Sequence, residues 1–549
     1  MKTAFLPFDD AGRMIRGGRA CVANNGMVSA GRAEAAAIGC SILEQGGNAV
    51  DAAVAVAFAL GVCEPNASGV GGGGFMLLRD GDTGKCVFLD FRETAPAAAA
   101  PDMYLPADVS RNLAADGSNV YGGRAAGVPG DVAGLLYALE HYGTLDRRQV
   151  IAPAAALARE GYPVTPLLHG DIAAHADDLL RWGDGGKIYL PEGRTPPVGS
   201  ILRNPDLADT LDRIAEGGRD AFYRGEIADR ILERMHKDGG LITRADLEGF
   251  RVRVLEPVRG TYRGYEILSS PPPSSGGTHV IQCLNLLEHF DVASMAPDSP
   301  ETLHLFSEIF KQVYSDRAAY MGDPAFVKVP LSGLLSKDYA VARAKLLDPA
   351  SPHAPQRGDP LPYESPSTTH FSVADRAGNL VAVTRTINHF FGSCAMPRGT
   401  GFLLNDEMED FSVDPASINA PAGGKIPLSC MSPTFLLKDG KPFAVLGSPG
   451  GIRIISSVVQ VISNLIDRGM PLEQAVNAPR MGDDQTDLLI YESRFSPAAV
   501  SALAKMGHPL KAYGEWDRIM GAVNAVQFLE NGTLAGAADP RRDGLALGV

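Results

Sequence analysis

The sequence predicts an α+β fold, with helices at the start and middle of the chain and antiparallel hairpins prominent in its last third. Three patterns carry that reading. Small apolar residues recur at helical spacing over residues 33–60. Helical stretches alternate with Gly/Pro turns over about residues 125–345, and strand–turn–strand patterns begin as soon as the chain passes residue 367. No internal repeat is present.

In chain order, the first helical run breaks at Gly46-Gly47-Asn48, which predicts one helix ending and a second starting at Asn48. GVGGGGFMLL (69–78) then leads into a strand, with CVFLDFRE (86–93) as its hairpin partner. SSPPPSSGGT (269–278) reads as a rigid loop rather than a linker between domains. Residues 347–367 hold six prolines and no helical or alternating pattern, which predicts an extended, mobile segment. Directly after it, TTHFSVA and LVAVTRTIN flank a turn at 375–379. Centring that turn near Ala377 places Thr368 opposite Thr386, with Asn388 just beyond. SPTFLL and PFAVLGS flank Asp439-Gly440, the strongest short hairpin signal, and this pairing brings Ser429 and Cys430 beside Pro449-Gly450-Gly451. IRIISSVVQVISNLIDRG (452–469) follows as a buried helix closed by a glycine. Two hairpins and a helix N-terminus are thereby expected to converge.

Composition narrows the function classes. Hydrophobic residues make up 45% and charged residues 21% of the 549, an ordinary globular balance that argues against extensive disorder. With 50 Lys/Arg against 64 Asp/Glu the formal charge is −14, which disfavours nucleic acid or an anionic membrane as a partner. The longest nearly unbroken apolar run covers residues 52–63, too short for a span of about twenty residues. MKTAFLPFDDAGRMIRGG at the start lacks the pattern of a secretory signal, and the seven cysteines form no CxxC pair. A reduced, cytoplasmic protein is the expectation. Eleven histidines show neither HExxH nor a Cys/His zinc spacing, GVGGGG lacks the G-K-[ST] of a phosphate loop, and no G-x-S-x-G occurs. No metal or cofactor is expected.

The convergent residues carry a possible chemistry. A threonine hydroxyl is a poor nucleophile unless a base takes its proton, and a free α-amine on the same residue, with a pKa near 8, can be that base. This requires a cut between Ser367 and Thr368, where a pliable segment meets a strand; the alternative is an ordinary strand-initial threonine. Gly450-Gly451 can turn two backbone N–H groups toward one point at a helix start, as an oxyanion hole, or can be a plain strand-to-helix turn. Asp406, Glu407, Glu409 and Asp410 in NDEMEDF either hold an ammonium group or form a solvated acidic run. Arg92 either grips a carboxylate bidentately or pairs with Asp90 or Glu93.

Together these strings resemble the γ-glutamyltransferase family of N-terminal-nucleophile hydrolases. The matching strings are GGNAVDAAVA, GVGGGGFML, LDFRE, TTHFSV, the T-x-N of Thr386 and Asn388, LLNDEMEDF, PLSCMSPT, GSPGG and DPRRDG, in family order over nearly the whole chain. The resemblance implies a four-layer αββα sandwich and self-cleavage into a large fragment, 1–367, and a small one, 368–549, held as a heterodimer. It implies that Thr368 is nucleophile and base, that Thr386 hydrogen-bonds it, and that Gly450 and Gly451 form the oxyanion hole. Arg92 and Ser429, with Cys430 beside it, would hold the glutamyl carboxylate, and Asn388, Glu407 and Asp410 the amino group. The donor would be a glutathione-like γ-glutamyl compound and the acceptor water or an amino acid. All three amino-group positions are kept, which favours γ-glutamyl over glutaryl-cephalosporin, whose side chain lacks the ammonium and would leave Asp410 unpaired. An acylase or amidohydrolase of the glutaryl-cephalosporin or oxamate type, and an unprocessed relative that only binds γ-glutamyl compounds, are the alternatives.

Two departures stand out. The family's Ser-Ser becomes Ser429-Cys430, and a thiol is a weak donor. Residues 412–428 are also short for a segment that would cover the pocket, which predicts an open site that accepts larger donors.

Overall fold

A computed structural model describes residues 6–9, 11–348, 351–352, 368–483 and 488–549. Ser367 and most of the proline-rich stretch, on which the cleavage site and the mobility were predicted, lie outside the described residues. Helices, sheet, sheet and helices stack as four layers, as the resemblance implied.

Fourteen strands build the two large sheets. Those before the middle of the chain are β1 (Ala20–Ala23), β2 (Gly26–Ala30), β3 (Gly73–Arg79), β4 (Cys86–Asp90), β5 (Arg253–Leu255), β6 (Val258–Tyr262) and β7 (Tyr265–Ser269). The rest are β8 (Thr369–Asp375), β9 (Leu380–Thr386), β10 (Thr434–Lys438), β11 (Lys441–Gly447), β12 (Asn524–Phe528), β13 (Leu534–Ala538) and β14 (Leu545–Gly548). One sheet runs β1-β13-β12-β11-β10-β7-β6 and the other β14-β2-β8-β9-β3-β4-β5. Each sheet therefore holds strands from both sides of position 367, and β8-β9 sits between β2 and β3 at the centre of the second.

The outer helices follow from local signals. On the second sheet lie α1 (Ala33–Glu44), α2 (Ala49–Cys63) and α3 (Asp131–Tyr142), backed by α4 (Arg147–Glu160) and α5 (Pro205–Tyr223). Asn48 caps α2 by accepting from the Val50 and Asp51 N–H groups, while Asp51 accepts from Asn48 N–H at 2.8 Å, so the predicted break is a capping box. Every residue of α2 is buried, which its small Ala/Val side chains permit between a helix layer and a sheet. On the first sheet lie α6 (Gly276–Leu287), α7 (Pro300–Tyr320) and α8 (Arg453–Ile466). The last is shorter than the predicted 452–469: it ends at Asp467, and Gly469, in the left-handed region at φ 60°, turns the chain beyond it.

Strands β8 and β9 are buried on both faces. Phe371 and Val373 pack toward the helices, whereas His370 and Ser372 face the other sheet, where the Ser372 hydroxyl donates to the Asn524 carbonyl at 3.0 Å. Arg385 is buried with its partner Asp131, at 2.5 Å, and also donates to the Ala57 carbonyl. This pair ties β9 to α2 and α3. Asp131→Asn removes the charge that offsets a buried guanidinium and is expected to cost about 3–5 kcal/mol of unfolding free energy. Denaturant unfolding measures it, and a cost under about 1 kcal/mol contradicts the tie.

Candidate active site

The β8–β9 register pairs Thr369 with Arg385, so Thr368 falls opposite Thr386 as the turn predicted. The Thr368 hydroxyl lies 3.4 Å from Thr386 Oγ1, which in turn accepts from the Asn388 N–H at 2.8 Å. Asn388 holds φ 71°, a left-handed turn that directs the chain away from the strand end. The Thr368 carbonyl accepts from Arg542 at 2.5 Å, a support from the far end of the chain that no local pattern signals.

The second hairpin ends beside this point. The pairing follows the Asp439-Gly440 turn as expected, with a bulge between Leu436 and Leu437 that shifts the pairs beyond it by one residue, to Thr434↔Leu446. The strand end still reaches the site, because a Cβ on Gly447 would stand 2.4 Å from His370 Cε1. After it, Gly450 (φ 131°) and Gly451 (φ 56°) adopt conformations that disfavour side chains, and Gly450 also packs against the Gly521 backbone. No acceptor among the described residues takes either N–H. Two such donors beside a hydroxyl, at the start of α8, can stabilise an alkoxide.

The acidic run is not a solvated face. Residues Glu407–Asp410 form one 3-10 turn, with Glu407 and Glu409 buried. Arg92 bonds neither Asp90 nor Glu93 through its guanidinium; Asp90 pairs instead with Arg253. Its Nη2 contacts Glu407 Oε1 at 2.6 Å and Asp410, and it donates to the Pro427 and Leu428 carbonyls at 3.1 Å. The groups expected to bind opposite ends of an amino acid are thus partners of one another. Burial still pushes Glu407 well above the carboxylate range, although Arg92 opposes it. Glu409 is raised by burial to about 8 and accepts from the Asn388 amide at 3.3 Å. His389, held at 2.5 Å by Asp406, is pulled down by burial but driven up further by Asp406 and Glu409, to about 9.

Ser429 and Cys430 reach the cleft through the buried serine loop between β7 and α6. Ser275 donates its N–H (2.7 Å) and hydroxyl (2.6 Å) to the Ser429 carbonyl, and its hydroxyl lies 3.5 Å from Cys430 Sγ. Arg317 of α7 donates to that hydroxyl at 2.8 Å, and Tyr314 to the Ile452 carbonyl at 3.0 Å. SSPPPSSGGT therefore backs the site, holding Ser429 and Cys430 in place from outside the cleft lining.

One cleft of about 250 Å³ is lined by Arg92, Thr368, Thr386, Asn388, Glu407, Asp410, Ser429, Cys430 and Gly451, together with Met431 and Ile454. Of the residues the sequence singled out, Gly450 stands just behind this lining. Met431 and Ile454 carry no signal in the sequence because they are apolar residues in apolar runs, and Arg542 carries none because its partner Thr368 is 174 residues away.

The family model described as gamma-glutamyltranspeptidase matches residues 35–549. The chain belongs to the gamma-glutamyltranspeptidase family. A glutathione hydrolase proenzyme of Escherichia coli (strain K12) is 42% identical over 538 residues, covering 94% of this chain and 91% of that one. An acylase ACY 1 proenzyme of Pseudomonas sp. (strain SE83) is 40% identical, covering 96% and 94%. Among solved structures, a cephalosporin acylase from Bacillus halodurans superposes with a TM-score of 0.89 at 31% identity, over 99% of both chains. The gamma-glutamyltranspeptidase of Helicobacter pylori gives 0.56 at 38% identity, over 59% of this chain and 94% of that one.

If the Gly450–Gly451 turn stabilises developing charge, Gly451→Ala, which strains a left-handed position and re-aims its N–H, should lower kcat about 10²–10³-fold with little change in KM. Steady-state kinetics read this directly. A raised KM at unchanged kcat contradicts it.

Proposed function

We propose that the protein is a self-processed γ-glutamyl hydrolase and transferase of glutathione-like donors. One observation carries the reading: a single cleft unites the Thr368 hydroxyl, the Gly450–Gly451 turn, and Arg92 paired with Glu407 and Asp410. Thr368 Oγ would attack the Ser367 carbonyl and the peptide C–N bond would break, moving the acyl group from nitrogen to oxygen and freeing the α-amine. Water would then cleave that ester, releasing the Ser367 carboxylate and the Thr368 hydroxyl. In turnover that amine takes the hydroxyl proton while Oγ adds to the γ-carbonyl. The tetrahedral oxygen sits on the glycine N–H groups, the proton goes to the leaving amine, and water or an amino acid resolves the threonyl ester. The fragments 1–367 and 368–549 would remain one heterodimer, a reading supported by β8-β9 lying between β2 and β3.

The acylase likeness supports a second reading, deacylation of glutaryl amides, and charge decides between the two. A glutaryl anion would compete for Arg92 and add one uncompensated negative charge to a buried cleft. A γ-glutamyl group brings an ammonium with its carboxylate: the carboxylate takes Arg92, the ammonium takes Asp410 and Glu407, and the net charge stays level. A glutaryl group would not leave Asp410 unpaired, because Arg92 already partners it; the balance of charge is what separates the two substrates. Residues 412–428 are tied on themselves through Asn419, bonded to the Asp410 carbonyl, and Lys425, bonded to the Ile418 and Ala420 carbonyls, which supports an uncovered cleft.

The test is kinetic. kcat/KM on a γ-glutamyl anilide should exceed that on the glutaryl anilide by about 100-fold, equivalent to roughly 2.7 kcal/mol. Thr368→Ala should stay one chain on a denaturing gel and lose both activities. A preference for glutaryl overturns the charge argument, and an active Thr368→Ala overturns the mechanism.

A further inference from the structure

We propose that the protein carries a second, structural site for a divalent transition metal of the zinc type, built by His304, Glu308 and His508. The three ligand atoms lie within 4.8 Å of one another and all three residues are buried. His304 and Glu308 stand one turn apart on α7, so their side chains share a face. His508 follows the helix Pro497–Met506, where Gly507 at φ 102° turns the chain back toward α7. Because His304 and His508 are 204 residues apart, no zinc spacing in the sequence could show the site.

The hydrogen bonds have the form that metal-binding imidazoles take. His304 Nδ1 and His508 Nε2 face one another at 2.7 Å. The outward nitrogen of each ring meets a neutral oxygen: His304 Nε2 the Asp348 carbonyl at 2.7 Å, and His508 Nδ1 the Ser307 hydroxyl at 3.5 Å. The Asp348 carbonyl fixes the proton of His304 on Nε2, which leaves Nδ1 as an acceptor for the proton on His508 Nε2. A cation binding there would take the place of that shared proton, with His508 left protonated on Nδ1, beside Ser307. Two imidazoles and a carboxylate form a donor set that suits zinc, with water as fourth ligand. At Zn–N distances of about 2.0–2.1 Å in tetrahedral geometry, the two nitrogens stand about 3.4 Å apart, so the rings must part by about 0.7 Å from the 2.7 Å they now keep.

Lys311 holds Glu308 Oε1 at 3.0 Å and competes with any cation for that carboxylate. It sets the affinity, and removing it should tighten binding. The site is remote from the chemistry: His304 lies thirteen residues before Arg317 on α7, roughly 20 Å along the helix axis. A metal there would act as a staple. His304 and Glu308 precede position 367 and His508 follows it, so the ion would join the two fragments, a role that rests on the self-cleavage proposed above.

Zinc titrated into chelator-stripped protein against a chromophoric competitor should bind at one equivalent and raise the thermal midpoint. His508→Gln and Glu308→Gln should each weaken it at least tenfold, Lys311→Met should strengthen it, and cobalt(II) should give a tetrahedral visible spectrum that His508→Gln loses. Thr368→Ala, which stays uncleaved, should bind zinc as the parent does, which separates this site from the cleavage reading. Absence of stoichiometric binding, or equal affinity in parent, Glu308→Gln and Lys311→Met, overturns the proposal even if His508→Gln does not fold.

Discussion

The antiparallel pairing of β8 with β9 in the middle of a sheet is the constraint on which the site depends. It leaves Thr368 at a strand end facing the other sheet, beside Thr386 and below the turn that follows β11. Strand alternation sends 369, 371 and 373 into the helix layer, so residue 368 cannot face the cleft unless that register holds. A slip by one residue would bury the hydroxyl among the helices. The same pairing keeps Arg385 against Asp131, and so couples the strand pair that carries Thr368 to α2 and α3.

Charge imposes the second condition. Arg92 is held by two backbone carbonyls and lies between Glu407 and Asp410, so the cleft is electrostatically closed on itself. Burial favours the neutral form of Glu407. A zwitterion can exchange into such an arrangement at little net cost, whereas a lone anion or cation cannot. Under the proposed function, specificity comes from this balance of charges more than from any one contact. The Cys430 thiol stands beside Ser275, where a hydroxyl would be the stronger donor.

Local rules explain what could be read from the sequence. The turn at 375–379 set the Thr368–Thr386 pairing because hairpin register follows from turn position, and Asn48 marked its helix start because capping is a contact over three residues. The shift in the second hairpin was not legible, since a bulge in Leu436–Leu437 leaves no residue signature. Nor was the burial of NDEMEDF. An acidic run looks solvated until its cation is known, and here the cation, Arg92, comes from more than 300 residues earlier. The serine loop at 269–278 reads as a rigid turn, and its hold on Ser429 was not legible because that hold rests on contacts across the chain, Ser275 to Ser429 and Arg317 to Ser275.

The central claim is that Thr368, freed at its amine, carries the acyl group. Rapid acid quench during turnover of a γ-glutamyl ester, followed by intact and peptide mass spectrometry, tests it most directly. The account predicts two chains meeting between Ser367 and Thr368, with one γ-glutamyl mass increment on the peptide that begins at Thr368. A single intact chain that turns over substrate, or an increment on the Cys430 peptide instead, would contradict it.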